Sequence, residues 1–309
     1  MTALLRTIYR YRLVTLSVAV AIGVLSGITA ELELPEAVRG PQRGLVFAAF
    51  AAAAITIAAS AFARRQVVVP APVPVAAPVH GSWMAINSPS SAVPSHGTRA
   101  YAQAYAIDLV SWPPQPHEKD GDDGGWVRPD AFPGFGAPVL AMIDGTVVTA
   151  RGWRRDHRSR TSTAARAYLV LEGLVRMLAG PGWITGNHVV IRGDDGTYAL
   201  VAHLRRGSLQ VRRGDRVHAG QQLGDCGNSG NSSEPHVHAQ LMDRASTWVA
   251  EGIPMTFSAV EVNLPDAADL PPGAEDFEPD RPDPAQRFPG IPANGEILVA
   301  TPAVRPRTP

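Results

Sequence analysis

Short runs of strand-forming residues, separated by glycine-containing turns, dominate the sequence between residues 138 and 242. Breakers such as Asp144-Gly145 and Asp195-Gly196 stand between the runs, where tight turns would join antiparallel strands. Many short strands at close spacing are typical of an antiparallel sheet, so we predict a mainly β fold. The predicted strands are residues 138–143, 146–150, 188–192, 198–204, 209–212 and 236–242.

We place the predicted β domain at residues 81–265, and a separate tail follows it. Residues 164–179 form an apolar segment of helical length between two predicted strands, which predicts a helix inserted into the sheet protein. Residues 266–309 are rich in proline and aspartate and predict a C-terminal tail that is mostly loop or disordered. Within that tail, residues 296–300 are predicted as one last strand.

Two uncharged apolar runs lie near the N-terminus, at residues 13–29 and 45–63. A helix that spans a bilayer needs about 20 apolar residues, and both runs approach that length. We therefore predict an N-terminal membrane anchor at residues 1–65 with one or two transmembrane helices. The second run contains ten alanines, which weakens its tendency to insert, so a buried or interfacial helix is the alternative. A proline-rich stretch at residues 66–80 predicts a stiff, extended tether or an edge strand.

Arginines are denser at the outer ends of the two apolar runs than in the segment between them. Five arginines lie before the first run or directly after the second, and two lie in the connecting segment, residues 30–44. Because cytoplasmic segments carry an excess of arginine and lysine, two spanning helices would place both outer ends in the cytoplasm. If only the first run spans, the rest of the chain is exported. Both arrangements stay open at this point.

Net charge and cysteine content exclude several classes of partner and site. The sequence has 28 basic and 28 acidic residues and a formal net charge of zero, so it carries no electrostatic footprint for nucleic acid. Cys226 is the only cysteine, which excludes an internal disulfide and zinc sites with several cysteine ligands. A metal site in this chain must therefore use histidine and carboxylate ligands.

A pair of histidines two residues apart is the strongest local signal for chemistry. His236 and His238 lie in a predicted strand, where residues two apart project to the same side of the sheet. A lone histidine is usually structural, whereas two that point into one place indicate a metal or catalytic site.

Three further residues fit the chemistry of such a site. Asp108 lies in an apolar, strand-like run, and a buried carboxylate needs a partner or a metal. His203 ends a predicted strand, and His96 lies upstream of Asp108. Catalytic zinc sites use three protein ligands, drawn here from histidine and aspartate, and keep a fourth position open for water. Two histidines and one aspartate fit that description and leave two histidines for acid–base chemistry.

From about residue 78 to residue 242 the sequence resembles the lysostaphin/LytM-type zinc endopeptidases. That family carries an upstream His and Asp, a later His before a Leu, and a terminal His-x-His. The matching residues here are His96, Asp108, His203, His236 and His238. The segments that also resemble the family's strands and turns are residues 136–148, 186–191, 198–204 and the glycine-punctuated residues 214–230.

The resemblance implies a role for each of these five residues. It implies one zinc ion per chain, bound by His96, Asp108 and His238, and it implies His203 and His236 as the catalytic pair. The implied reaction is hydrolysis, by metal-activated water, of stem or cross-bridge peptides of bacterial peptidoglycan. One catalytic histidine would take a proton and the other would stabilise the oxyanion, with the individual roles left open. The protein is then expected at the bacterial cell membrane, with its peptidase domain outside the cytoplasm.

One spacing departs from the family pattern. The family places its first His and Asp within a few residues of each other, whereas eleven residues separate His96 from Asp108. The intervening segment has to loop out if both ligands are to converge, and His80 and His117 are the alternative ligands. Two other functions stay open. One is a noncatalytic peptidoglycan-binding scaffold or activator of another wall hydrolase, and the other is an intracellular zinc peptidase with a protein substrate.

Overall fold

The structure is a computed structural model that describes residues 2–30, 32, 34–65, 69–114, 126–160, 162–270 and 277–301. The chain divides into two compact units. The first comprises Met1–Val69 with Trp248–Ala250, and the second comprises Pro70–Thr247 with Glu251–Pro309.

Two long helices form most of the first unit, α1 at Ala3–Thr29 and α2 at Glu36–Arg64. The side chain of Gln42 joins them, since its Nε2 donates a hydrogen bond to Thr29 Oγ1 at 2.6 Å. Both helices extend beyond the apolar runs from which they were predicted. By length and composition, both are able to cross a membrane.

Strands build the second unit, and they confirm the predicted mainly β fold. The strands of the described residues are β1 Val73–Ala76, β2 Gly81–Ile86, β3 Ile107–Ser111, β4 Trp126–Val127, β5 Pro138–Leu140, β6 Gly145–Arg151, β7 Ser159–Arg160, β8 His188–Arg192, β9 Tyr198–Ala202, β10 Arg216–Val217, β11 Gln222–Asp225, β12 Val237–Met242, β13 Gly252–Ile253, β14 Met255–Ser258, β15 Val260–Asn263 and β16 Ile297–Ala300. Two helices stand between β7 and β8, α3 at Thr163–Ala179 and α4 at Pro181–Thr185. The predicted inserted helix is therefore present as α3.

One large sheet organises the second unit. Its strands follow the order β10-β6-β8-β9-β12-β3-β2-β16-β15, with β13 paired to β12. The pairings in this sheet are antiparallel, as predicted. β12 lies in the middle between β9 and β3, and all six of its residues are buried. Side chains on such a strand are held more rigidly than side chains on loops, which suits a functional site.

The strand predicted at residues 209–212 is wrong, because this segment is irregular. The Arg212 N–H donates to the Asp215 carboxylate at 3.0 Å, and only Gln210 bonds across to the carbonyl of Leu223, at 2.9 Å. A side chain that captures a backbone N–H locally removes a donor from strand pairing, which ends the regular ladder. The other predicted strands are present, with shifts of a few residues at their ends.

Two segments outside the predicted β domain also join its strands. β1, from the predicted tether, pairs in parallel with β14. β16, from the predicted tail, is the strand expected at residues 296–300, and it lies between β2 and β15. Burial of Ile297, Leu298 and Ala300 explains why this part of a proline-rich segment folds onto the sheet.

Candidate metal and catalytic site

The candidate site lies where β12 meets β3 and β9. In the register of the sheet, His238 pairs with Asp108 on one side and with Ala202 on the other. His203 follows Ala202 directly, and His236 stands one residue before β12. Antiparallel pairing therefore brings residues that are far apart in the sequence to one end of the same three strands.

The histidines converge on the carboxylate of Asp108. Its Oδ1 lies 2.8 Å from His238 Nδ1 and 3.6 Å from His236 Nε2. Its Oδ2 lies 3.0 Å from His96 Nε2. Burial opposes the ionisation of Asp108, but the charges and hydrogen bonds of the neighbouring histidines outweigh it and hold the pKa well below its usual range. Asp108 is therefore a carboxylate at neutral pH, surrounded by the ring nitrogens of these three histidines.

The residues between His96 and Asp108 loop out, and Ser95 closes the loop. The Ser95 N–H donates to the carbonyl oxygen of Ala104 at 3.1 Å, and its hydroxyl oxygen lies 2.7 Å from the carbonyl oxygen of Ala106. Both contacts join the two ends of the insertion. His96 therefore reaches Asp108 in space although the two residues are separated in the sequence.

The same insertion supports His238 through Gln240. His238 Nε2 lies 2.9 Å from Gln240 Oε1, and Gln240 Nε2 donates to the carbonyl oxygen of Tyr101 at 3.0 Å. Tyr101 and Ala102 have φ angles of 55° and 65°, in the left-handed region that is unfavourable for residues other than glycine. The Gln240 oxygen accepts a hydrogen bond from Nε2 of His238, so that Nδ1, which faces Asp108, is the atom that would bind a metal ion after losing its proton.

His203 and His236 face each other, with ring centres 4.6 Å apart. His203 Nδ1 lies 2.8 Å from the carbonyl oxygen of Ser229. His236 Nδ1 lies at the same distance from the carbonyl oxygen of Glu234. A carbonyl oxygen only accepts, so each Nδ1 carries a proton and each Nε2 keeps a lone pair in the neutral ring. Burial, and then the charges of neighbouring histidines, lower the pKa of His203 well below its usual range, so this ring is neutral at pH 7.

His96, Asp108 and His238 fit a metal ion in both chemistry and position. Each offers one ligand atom, and these atoms lie within 4.8 Å of one another. Two imidazole nitrogens and a carboxylate oxygen are ligands that zinc accepts. Gln240 orients one of the imidazoles, as hydrogen-bond partners outside the ligand shell do in zinc sites. A zinc ion would also balance the negative charge of Asp108.

The two histidines considered as alternative ligands, His80 and His117, have different outcomes. His80 is exposed, and its carbonyl oxygen accepts a hydrogen bond from Trp83 Nε1 at 2.9 Å. His117 lies outside the described residues. Among the described residues, the histidine that contacts Asp108 from the N-terminal side is His96.

Two residues that contact this group of histidines and Asp108 were not predicted from the sequence. Asn87 Nδ2 donates to Asp108 Oδ2 at 2.8 Å, and Gln240 holds His238. Gln240 had a detectable signal, since it lies two residues after His238 in the same strand and therefore shares its face. Asn87 had none, because it follows the end of β2 and reaches Asp108 only through the pairing of β2 with β3.

Part of the chain is similar to known peptidases. Residues 130–249 match the model of peptidase family M23. Over 86 residues the chain is 33% identical to peptidoglycan DD-endopeptidase ShyA of Vibrio cholerae, which covers 28% of this chain and 17% of that protein. Over 129 residues it is 30% identical to glycyl-glycine endopeptidase ALE-1 of Staphylococcus capitis, which covers 41% of this chain and 27% of that protein. The matches thus span less than a third of either relative.

A solved structure of the lysostaphin catalytic domain from Staphylococcus simulans aligns with 48% of this chain and 74% of that chain, at 23% identity and a TM-score of 0.29. The family match contains His203, His236 and His238, whereas His96 and Asp108 precede it. The evidence that His96 and Asp108 lie beside His238 is therefore the geometry of the structure and not the family match. The chain contains a domain of peptidase family M23.

Proposed function

We propose that this chain is a zinc metalloendopeptidase that hydrolyses stem or cross-bridge peptides of bacterial peptidoglycan. The observation that carries the proposal is the convergence of three histidines on one buried carboxylate in an M23 domain, with His203 facing one of them. The two relatives described above are named as endopeptidases, one of peptidoglycan and one of glycyl-glycine bonds. These names support the substrate class.

His96, Asp108 and His238 would hold the zinc ion. Zinc, when bound, supplies a Lewis acid that polarises a peptide carbonyl and activates water at neutral pH. The protein contributes the orientation of its ligands: Gln240 holds the ring of His238, and the loop closed by Ser95 holds His96. Both contacts keep ligand lone pairs directed at one point.

His203 and His236 would carry the acid–base part of the reaction. Because each Nδ1 is bound to a backbone carbonyl, each ring presents Nε2 to the site. A neutral Nε2 accepts a proton from the attacking water. A ring that has gained this proton donates from Nε2 and stabilises a developing oxyanion or passes the proton to the leaving amine.

Zinc-dependent release of soluble peptides from purified peptidoglycan tests the proposal. The full chain in detergent is compared with His203→Ala and His238→Ala, and His218→Ala serves as a control because His218 is an exposed histidine outside the site. We expect release by the parent and by His218→Ala, and losses of about 100-fold or more in the other two variants. We also expect chelation to abolish release and added zinc to restore it.

Two other results would contradict the proposed cell-wall hydrolase. Binding to peptidoglycan without release, in a chain that holds no zinc, would favour a noncatalytic scaffold or activator. Release of products from a protein substrate alone would favour an intracellular peptidase. In either case the products, or their absence, identify the function that replaces the proposal.

The proposed substrate also requires residues 70 onward to lie outside the cytoplasmic membrane. This holds if α1 alone spans, whereas two spanning helices satisfy it only against the arginine distribution. These two membrane arrangements can be distinguished by fusing to the C-terminus a phosphatase that is active only outside the cytoplasm. An active fusion supports a membrane-anchored cell-wall hydrolase, and an inactive fusion with normal expression contradicts it.

A further inference from the structure

A rim of arginine and tryptophan lies at the end of β6, on the segment that follows it and on α4. We define it by Arg151, Trp153, Arg154, Arg155 and Trp183. Trp153 and Trp183 are 63% and 46% exposed. The Arg154 guanidinium stacks on both rings, with its Cζ 4.7 Å from the centre of Trp153 and 3.9 Å from that of Trp183. Exposed tryptophans that flank a cation form a ready-made surface for a ligand with both apolar and charged groups.

The rim carries positive charge without a carboxylate to balance it. Residues 151–158 contain four arginines and one aspartate, and that aspartate, Asp156, accepts two backbone N–H groups instead. In the described part of the chain, no carboxylate lies within 4.0 Å of the guanidinium groups of Arg151, Arg154 and Arg155. Burial, followed by repulsion from neighbouring arginines, lowers the pKa of Arg154. An anion bound at the rim would relieve that repulsion.

Asn187 ties the rim to a catalytic histidine. Its Oδ1 accepts a hydrogen bond from the Arg154 N–H at 2.8 Å. Its Nδ2 donates to the carbonyl oxygens of Arg154 at 2.8 Å and of Leu204 at 2.9 Å. Since Leu204 follows His203 directly, one side chain separates the backbone of the rim from the backbone of the catalytic site. A peptide held at the site therefore has the rim within its reach.

We infer that the rim is a binding subsite for carboxylate groups of an acidic peptide. The inference rests on the proposed function and narrows its substrate to peptidoglycan peptides with free carboxylates. The planar guanidinium of arginine binds a carboxylate through two parallel hydrogen bonds, and the tryptophan faces cover the apolar atoms of the peptide. Amidation of those carboxylates removes the charge and the paired acceptor oxygens. We therefore expect the rim to bind an amidated peptide more weakly than one with free carboxylates.

Binding to insoluble peptidoglycan, measured by co-sedimentation, tests the inference without cleavage. The full chain in detergent carries His203→Ala throughout, and it is titrated against native peptidoglycan and against peptidoglycan with amidated carboxylates. We expect about 10-fold tighter binding to the native material. Adding Arg154→Gln removes the preference, and Arg151→Gln, at an exposed position, reduces it. Arg213→Gln keeps it, because Arg213 is an exposed arginine outside the rim.

Three results would overturn the subsite. The first is equal binding of both materials, and the second is an undiminished preference in both rim variants. The third is competition by glycerol phosphate as strong as that by a free-carboxylate stem peptide, because this would indicate a general anion surface. A cleavage arm with His203 intact separates this inference from the proposed function. A chain that prefers native peptidoglycan but releases no peptide refutes hydrolysis and leaves the subsite standing. Cleavage of both materials at equal rates and affinities refutes the subsite and leaves hydrolysis standing.

Discussion

Asp108 and His238 reach the candidate site by strand pairing, whereas His96 and His203 reach it through loops. The first two residues occupy directly opposed positions in β3 and β12. His203 follows the end of β9 with a left-handed φ of 61°, and its N–H donates to the carbonyl oxygen of Thr185 at 3.0 Å. His96 depends on the loop that Ser95 closes. The sheet therefore positions Asp108 and His238, and a few individual contacts position His96 and His203.

This difference predicts where the site is sensitive to change. Strand pairing spreads the positioning of the backbone of Asp108 and His238 over many hydrogen bonds, so a single change shifts that backbone little and acts instead on the orientation of the side chain. A loop residue is positioned by one or two contacts, and the loss of one contact moves it. Variants of ligands, of their supporting partners and of loop closures should therefore have graded effects on metal affinity.

The largest effect is expected for Asp108→Asn, which keeps the shape of the side chain and removes its charge. We expect zinc affinity to fall by more than about 100-fold, beyond the range seen when partners outside the ligand shell are removed. Isothermal titration with zinc measures the affinity, and circular dichroism checks that the sheet is intact. A variant that still binds one zinc ion with parental affinity would remove Asp108 from the ligand set.

A smaller effect is expected for Gln240→Met, which leaves both ligand strands in place. His238 Nε2 and the Tyr101 carbonyl oxygen lose their partner, so the ring of His238 is no longer held and zinc affinity should fall roughly 10- to 100-fold. Gln240→Glu is the comparison, because it retains an oxygen toward His238, while it loses the donor to Tyr101 and gains a negative charge. Equal losses in the two variants would show that the contact with His238 does not orient the ligand.

Ser95→Ala tests loop closure, and its effect on zinc should be smaller still. The hydroxyl contacts with the Ala106 carbonyl and with His96 Nδ1 are lost and the backbone bond to Ala104 remains, so His96 gains freedom without leaving the loop. We expect roughly 10-fold weaker zinc binding. We also expect a loss of about 1 kcal/mol in the free energy of unfolding. Ser246→Ala, at an exposed serine, is the control; equal zinc affinities in the two variants would contradict the closure.

The same contrast explains what the sequence allowed us to predict. The period of two within a strand places His236 and His238 on one face, and the apolar run around Asp108 indicates its burial, so the strand-borne residues follow from pattern. The loop that joins His96 to Asp108 could not be predicted from a pattern. Its closure depends on Ser95 and on left-handed backbone at Tyr101 and Ala102, and these features have no sequence signature. The failed strand at residues 209–212 has the same origin, since a local side-chain bond replaced strand pairing.

The last test concerns His203 alone and should leave zinc affinity unchanged. Gly186 has a φ of 62°, and a Cβ at this position would lie 2.5 Å from the backbone of Ser229, whose carbonyl oxygen holds His203 Nδ1. Gly196→Ala is the matched control, because Gly196 also has a positive φ, of 84°, but no atom lies within 4 Å of the added Cβ. Both variants should lose about 1 kcal/mol of stability to backbone strain. Gly186→Ala should lose a further 1–3 kcal/mol, roughly, to the clash. Peptide release should fall only in Gly186→Ala, because the displaced Ser229 carbonyl no longer orients the ring; equal activity in the two variants would show that His203 does not depend on this loop.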